Sequence, residues 1–301
     1  MWVLVSLAAG TLQTARNGLA RSLSGQLPAV LLSWSRFAFN LPFSTVLVMV
    51  LALVGDLPAL SVKFMILCLM AGITQLVANV ALVSSFQMGT FAQAIVIHKS
   101  EVALTAVVGA VVFSEIPSVL GWIGVVATMV GVAMISLAGQ ERTTDWRSLV
   151  AANRGSALAL LAAGLLVIAA FSIKEAIKNL DTVNPSMDGI FGFAATALFH
   201  VTWIEVVILT AWILARQPSQ FTAVGSHWPR LAGIGFTGFA GSLAWFWAFS
   251  LTLVAYVRAV GQIEAVLSVL LALYVWHEHK ARRQLPGIVL TVVGIFLIVL
   301  G

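Results

Sequence analysis

His98, Lys99, Ser100 and Glu101 interrupt an otherwise apolar stretch that runs from Phe91 to Glu115. The stretch is long enough to cross a bilayer. A charged side chain at the bilayer centre costs roughly 2.5–3.5 kcal/mol on insertion scales. Lys99 and Glu101 therefore need a polar cavity, or partners inside a helical bundle. A carboxyl group in such a place suits proton binding, because desolvation favours its neutral form. An ammonium or guanidinium group there attracts an anion. A second stretch, Val254 to Glu278, repeats the design with Arg258, Gln262 and Glu264. A shift of 163 positions lays Glu101 on Glu264, Glu115 on Glu278, Gly124 on Gly287 and Gly131 on Gly294, with no gap across 88–138.

Other apolar stretches carry polar residues of the same kind. Gln13, Arg16 and Asn17 fall in the first, Ser33 and Arg36 in the second, Gln75 and Asn79 in the third, His200 and Glu205 in the seventh. Gln75 and Asn79 are an i,i+4 pair on one face. On a continuous helix His98 and Glu101 also share a face, and Lys99 turns away by about 100° per residue. Arg258 and Gln262 share one face, Gly261 and Glu264 another. The candidate substrate or proton site is Arg16, Asn17, Arg36, Lys99, Glu101, Arg258, Gln262 and Glu264, with Gln75, Asn79, His98 and Glu205 as accessory residues. Each has a plainer reading beside it. Arg16, Arg36 and Arg258 can snorkel to an interface. Lys99 and Glu101 can make a structural ion pair with another helix, and Glu205 can be a neutral packed acid. Glu115 and Glu278 each end a span and suit a capping role. Trp245, Phe246, Trp247 and Phe249 suit a lipid-facing belt or core.

Composition sets the class. The chain has 301 residues, 60% hydrophobic and 9% charged, with a mean hydropathy of +1.04. Soluble domains run near 25% charged, so this is an integral membrane protein. Its apolar runs are long and lack the period-2 alternation of a membrane barrel, so they must be helices. The net charge of +5 is explained by basic loops, and no nucleic-acid partner is implied. Cys68 is the single cysteine and reads as packing. No basic segment precedes the first apolar stretch, so the first helix is expected to stay in the mature chain.

Ten spans are expected, at about 1–22, 28–54, 61–84, 89–113, 118–138, 155–176, 188–214, 229–250, 254–276 and 285–301, with breaks at turn chemistry that includes Pro229. The longest polar segment, 139–154, joins two halves, 1–138 and 155–301. Five spans per half would give the halves inverted topology, a transporter pattern that places the binding site near the mid-membrane between the repeats. Five basic residues, Arg16, Arg36, Lys99, Lys174 and Arg258, fall within spans against three acids, Glu101, Glu205 and Glu264. That cationic surplus suits a substrate bearing a carboxylate or other anionic group. Loop charges, Arg21, Arg142, Arg147, Arg154, Arg216, Arg230, Lys280, Arg282 and Arg283 against Lys63 and Lys178, place both termini outside.

No enzyme motif of the HExxH, GxSxG, GxxxxGK[ST] or CxxC kind is present. His200 and Glu205, five apart, make no metal face. Neither a metal nor a cofactor is expected.

The chain resembles the drug/metabolite transporter superfamily in its EamA-type branch. In both halves a span ends in Glu (VVFSE, YVWHE), a short polar turn follows, and a Gly-spaced final span closes the half (GVVATMVGVAMI, GIVLTVVGIFLI). The resemblance implies ten helices as two inverted five-helix repeats around a central cavity, and export of metabolites such as amino acids. It also implies termini in the cytoplasm, against the loop charges. Members often carry a proline midway along the fourth and ninth spans. Here those places hold His98-Lys99-Ser100 and Gly261-Gln262-Ile263; Gly261 supplies flexibility in one, and the other has no obvious substitute.

The leading reading is a proton-linked secondary exporter of a small carboxylated metabolite in the plasma (inner) membrane, as a monomer or homodimer. The alternatives are a flippase for lipids or lipid-linked sugars and, further off, an intramembrane enzyme.

Overall fold

The computed structural model describes residues 1–23, 26–88, 91–138, 154–187, 189–274 and 279–301. Glu278 and nearly all of the joining segment 139–154 lie outside them. No strand occurs among the described residues, and the protein is an all-helical membrane protein. In chain order the helices are α1 (Trp2–Leu23), α2 (Ala29–Ala38), α3 (Leu41–Leu53), α4 (Val62–Met88), α5 (Phe91–His98), α6 (Glu101–Val112), α7 (Val119–Ala138), α8 (Arg154–Val183), α9 (Ile190–Arg216), α10 (Thr222–Leu251), α11 (Val254–Gly261), α12 (Ile263–Tyr274) and α13 (Leu285–Leu300). Among the described residues, eight helical stretches are long and apolar enough to cross a membrane. The other two expected spans are α1, diluted by Gln13, Thr14, Arg16 and Asn17, and the α5–α6 pair with its charged centre.

Three expected spans are broken helices. Between α2 and α3 the cause is Pro42, in the first turn of α3. Proline has no N–H, and its ring crowds the carbonyl four residues back. The other two breaks match each other. At Lys99–Ser100 the Val102 amide bonds back three residues to the Lys99 carbonyl at 3.4 Å, and at Gln262 the Ala265 amide bonds back three residues to the Gln262 carbonyl at 2.9 Å. These two bonds are related by the 163-residue shift. Gly261 eases the second break, whereas the first has neither proline nor glycine. The expectation of a continuous helix there is corrected, and with it the orientation of Lys99: a turn separates it from both His98 and Glu101. Pro229 does not end a span. It lies inside α10, so Arg230, counted among the loop charges, is a helical residue, as is Lys178 in α8.

The chain folds as two compact units. The first comprises Met1–Leu7, Thr74–Phe171 and Thr252–Gly301. Its seam is α7 against α13. A Cβ added at Gly124 would lie 2.7 Å from the Gly294 carbonyl oxygen, and one at Gly131 would lie 2.8 Å from that of Gly287. Two helix backbones touch here, which only small residues permit. The shift partners exchange places, since Gly124 meets Gly294 and Gly131 meets Gly287. Thr128 lies against Gly294 as Thr291 lies against Gly131. Each threonine hydroxyl is satisfied within its own helix, by Val125 O and Gly287 O, both at 2.8 Å. Beside the seam α6 and α11 bury Val102, Ala106, Ala255, Ala259 and Val260 in one core. Tyr256 accepts the Ser118 amide at 2.9 Å and stacks on Trp2.

The second unit comprises Ala8–Ile73 and Ser172–Leu251. The backbone of Phe39, at the α2–α3 break, lies against Gly235 of α10. Trp34 donates to Thr210 of α9 at 2.8 Å and meets Phe39 and Phe221 edge-on. Asn184 holds the α3–α4 loop by both backbone groups of Ala59, at 2.8 and 3.1 Å.

The seam sets a stability expectation. Gly131→Ala and Gly287→Ala each force two backbones apart, at about 1–3 kcal/mol for overpacking. Each should lower the melting temperature of the purified protein by about 5 °C. Gly18→Ala, whose added methyl meets nothing within 4 Å, should not lower it.

Candidate functional site

Four charged residues of the first unit, Lys99, Glu101, Arg258 and Glu264, converge on the two matched breaks. Lys99, in the turn after α5, donates from Nζ to Glu264 Oε1 at 2.7 Å. Arg258, in the last turn of α11, places Nη1 3.8 Å from Glu101 Oε1. Each glutamate is thus met by a cation from the other half of the chain. Helix ends reinforce the arrangement. Glu101 opens α6 and Glu264 lies in the first turn of α12, where the helix dipole favours negative charge. Lys99 and Arg258 stand at the C-terminal ends of α5 and α11, where it favours positive charge.

The cluster is balanced, two cations against two carboxylates. The ion pair offered above as the structural alternative for Lys99 and Glu101 is therefore present for each of them. The cationic surplus read from the sequence does not reside here. His98 lies in electrostatic range of Glu101, Lys99, Arg258 and Glu264. Gln262, 3% exposed, donates from Nε2 to the Arg258 carbonyl at 3.3 Å. Four buried side-chain atoms at these breaks have no hydrogen-bond partner among the described residues: His98 Nδ1, Ser100 Oγ, Glu101 Oε2 and Gln262 Oε1. An unmet buried polar group costs about 1–3 kcal/mol, so four in one place ask for a functional account.

Gln75 and Asn79 also belong to the first unit. The Asn79 amide donates to the Gln75 carbonyl of its own helix at 2.8 Å. Glu115 acts on the backbone of the other half. Ser114 adopts φ 57°, and the Glu115 amide bonds back to the Gly109 carbonyl at 2.9 Å. The Glu115 carboxylate then accepts the amide of Val254, first residue of α11, at 2.9 Å. This is a helix cap supplied from outside the helix, the role expected of it.

Arg16, Asn17, Arg36 and Glu205 belong to the second unit. Arg16 Nη2 donates to Asn17 Oδ1 at 3.0 Å. Arg36 stands over the Phe37 ring, 5.0 Å from its centroid, and interacts electrostatically with Glu205. Glu205 is buried, at 2% exposure, with Oε1 unpartnered. Gly238 of α10 lies against Arg36, and its missing Cβ would sit 3.8 Å from Arg16 Cδ. Two arginines thus share one glycine surface, and the surplus of cations falls in this unit.

Some polar contacts went unread in the sequence. Gln13 accepts the Trp245 indole N–H at 3.1 Å, and Asn40 donates to Thr202 at 3.4 Å. The signal was available, since both Gln13 and Asn40 are polar residues inside apolar runs. His200 bonds the Thr196 carbonyl at 2.8 Å and packs edge-on against Phe64 and Phe199. Among the described residues no group of three or more His, Cys, Asp or Glu is arranged to hold a metal.

The tighter ion pair yields a direct test. Removing one member of a buried pair strands the other, at about 3–5 kcal/mol. Lys99→Ala and Glu264→Ala should each destabilise the protein by about 3 kcal/mol in thermal unfolding. The exchanged pair, Lys99→Glu with Glu264→Lys, should recover part of that loss. Recovery stays incomplete because each charge then opposes its helix dipole.

The fold has been seen in other proteins. One solved crystal structure of another protein superposes with a TM-score of 0.74 over 98% of this chain and 95% of its own, at 16% identity. No curated protein sequence matches. The model of the EamA-like transporter family matches residues 153–300, the half that carries Arg258, Gln262, Glu264 and the Gly287–Gly294 seam. Residues 153–300 thus belong to the EamA-like transporter family of the drug/metabolite transporter superfamily.

Proposed function

We propose that this transporter is a proton-linked secondary exporter of a small carboxylated metabolite, an amino acid in the first instance, in the plasma (inner) membrane. The observation that carries the reading is the pair of reciprocal ion pairs at matched helix breaks, Lys99–Glu264 and Arg258–Glu101. Broken helices supply the uncommitted backbone groups and helix ends from which transporters build ion and substrate sites. Buried acids beside a break provide a place for a proton, and the arginines of the second unit provide attraction for a carboxylate.

The exchange of partners along α7 and α13 supports two inverted repeats. When Gly124 meets the partner of Gly131, and Gly131 the partner of Gly124, the two segments are related as by a two-fold axis. On this reading the repeats rock against one another and expose the site to each side in turn. The family assignment argues for carriage rather than catalysis.

Transport by purified protein in proteoliposomes tests the proposal. An amino-acid panel is first narrowed by thermal shift, since a ligand that binds the native state raises its melting temperature. Saturable transport of a hit should accelerate several-fold under an imposed pH gradient. Glu101→Gln and Glu264→Gln should each reduce it about tenfold or more, corresponding to about 1.4 kcal/mol. Wild-type rates in both variants would overturn these roles. Phospholipid translocation without uptake of any water-soluble compound would favour the flippase.

A further inference from the structure

The two matched glutamates are not equivalent in their surroundings. Glu264 is committed through Oε1 to the Lys99 ammonium at 2.7 Å. Glu101 is more deeply buried, at 6% exposure. Its Oε1 faces Arg258 at 3.8 Å, beyond hydrogen-bond reach, and its Oε2 has no partner among the described residues. Three further unpartnered atoms, His98 Nδ1, Ser100 Oγ and Gln262 Oε1, belong to residues of the same facing breaks. Two of the four, Glu101 Oε2 and Gln262 Oε1, can only accept a hydrogen bond, whereas Ser100 Oγ–H can donate and His98 Nδ1 does either by tautomer. No donor reaches Glu101 Oε2 among the described residues. A buried carboxylate oxygen without a donor is a place for a proton.

We propose that Glu101, rather than its sequence partner Glu264, is the residue that takes up the coupled proton, and that it does so at Oε2. A proton from the aqueous phase adds to an Oε2 lone pair and forms an O–H. That O–H can donate, and Gln262 Oε1 and Ser100 Oγ are acceptor types at the facing breaks. Release is the reverse step. Glu264 keeps its charge and serves Lys99, holding the two breaks together. The charged or titratable groups facing Glu101 are His98 and Lys99 at the α5 break, Arg258 on α11 and Glu264 on α12. Helix α7, packed against α6, carries none. The divergence is written in the chain: the 163-residue shift puts Gln262 opposite Lys99 and Ile95 opposite Arg258, so the two glutamates have lost their symmetric surroundings.

This inference rests on the proton-linked reading, and its test needs no substrate. Purified protein in liposomes on a solid-supported membrane is subjected to a pH jump, and the charge displaced by proton binding is recorded. Wild type should give a displacement with a definite pH midpoint. Glu101→Gln should reduce it at least tenfold, and Glu264→Gln should retain more than half. Glu101→Asp should retain it with a moved midpoint, which separates loss of the acid from loss of the fold. A full displacement in Glu101→Gln, or its loss in Glu264→Gln alone, overturns the assignment while leaving proton linkage intact. No displacement in wild type overturns both, and carriage of a carboxylated compound would then have to proceed without protons. A displacement of equal size on a sodium jump at constant pH also overturns the proposal.

Discussion

Charges inside apolar helices must be met by other charges, and in this chain the partners come from opposite ends of the sequence. Lys99 reaches Glu264 and Arg258 faces Glu101, so one half cannot settle without the other. The same demand explains the broken helices. A continuous helix would carry Lys99 round by about 100° from each neighbour and spread three ionisable groups over different faces. The turn at Lys99–Ser100 brings Lys99 onto Glu264 and leaves Glu101 at the start of a new helix, where the helix dipole favours a carboxylate. No proline or glycine is needed there, because the ion pairs stabilise what the local sequence does not favour. At Gln262 the same hydrogen-bond pattern is eased by Gly261.

Around this centre the first unit is held by close approach. Lipid offers no hydrophobic drive between helices, and association depends on van der Waals fit and the few hydrogen bonds available. The α7–α13 seam uses four glycines and two threonines for that purpose, and the exchange of shift partners along it is strict. In the charged centre the exchange holds for the glutamates alone. Packing constrains both sides of the seam alike, because each glycine meets the backbone of the facing helix. A polar centre carries no such requirement, and there the two matched stretches differ.

The membrane class, the span count and the matched Glu and Gly positions were legible in the sequence, because composition and a fixed shift report them directly. The breaks were less so. Pro42 marks one by its own chemistry, while Pro229 sits well inside α10 without ending it; proline alone therefore does not locate a boundary. The Lys99–Ser100 break leaves no local mark, since its cause lies 165 residues away in Glu264. Helical-wheel reasoning placed Lys99 off the His98–Glu101 face for that reason. The site residues were all recognisable as polar groups in apolar runs, but their sorting was not: Arg16, Asn17, Arg36 and Glu205 belong to one unit, and Lys99, Glu101, Arg258, Gln262 and Glu264 to the other.

That sorting changes what the cationic surplus means. Of the five basic residues placed within spans, Lys99 and Arg258 are balanced by the two glutamates of their own unit. Arg16, Arg36 and Lys174 fall in the second unit, where Glu205 is the only one of the three span acids. A balanced cluster has little net field with which to draw an anion from water, since opposite charges a few ångströms apart cancel at longer range. Arg16 and Arg36 share one glycine surface in the unit where the span cations outnumber the span acids. On the proposed reading, attracting a carboxylate and registering a proton would call on different residues. The acid with an unmet oxygen suits the second task because its field is already cancelled: adding a proton there changes the charge of the cluster from zero to one.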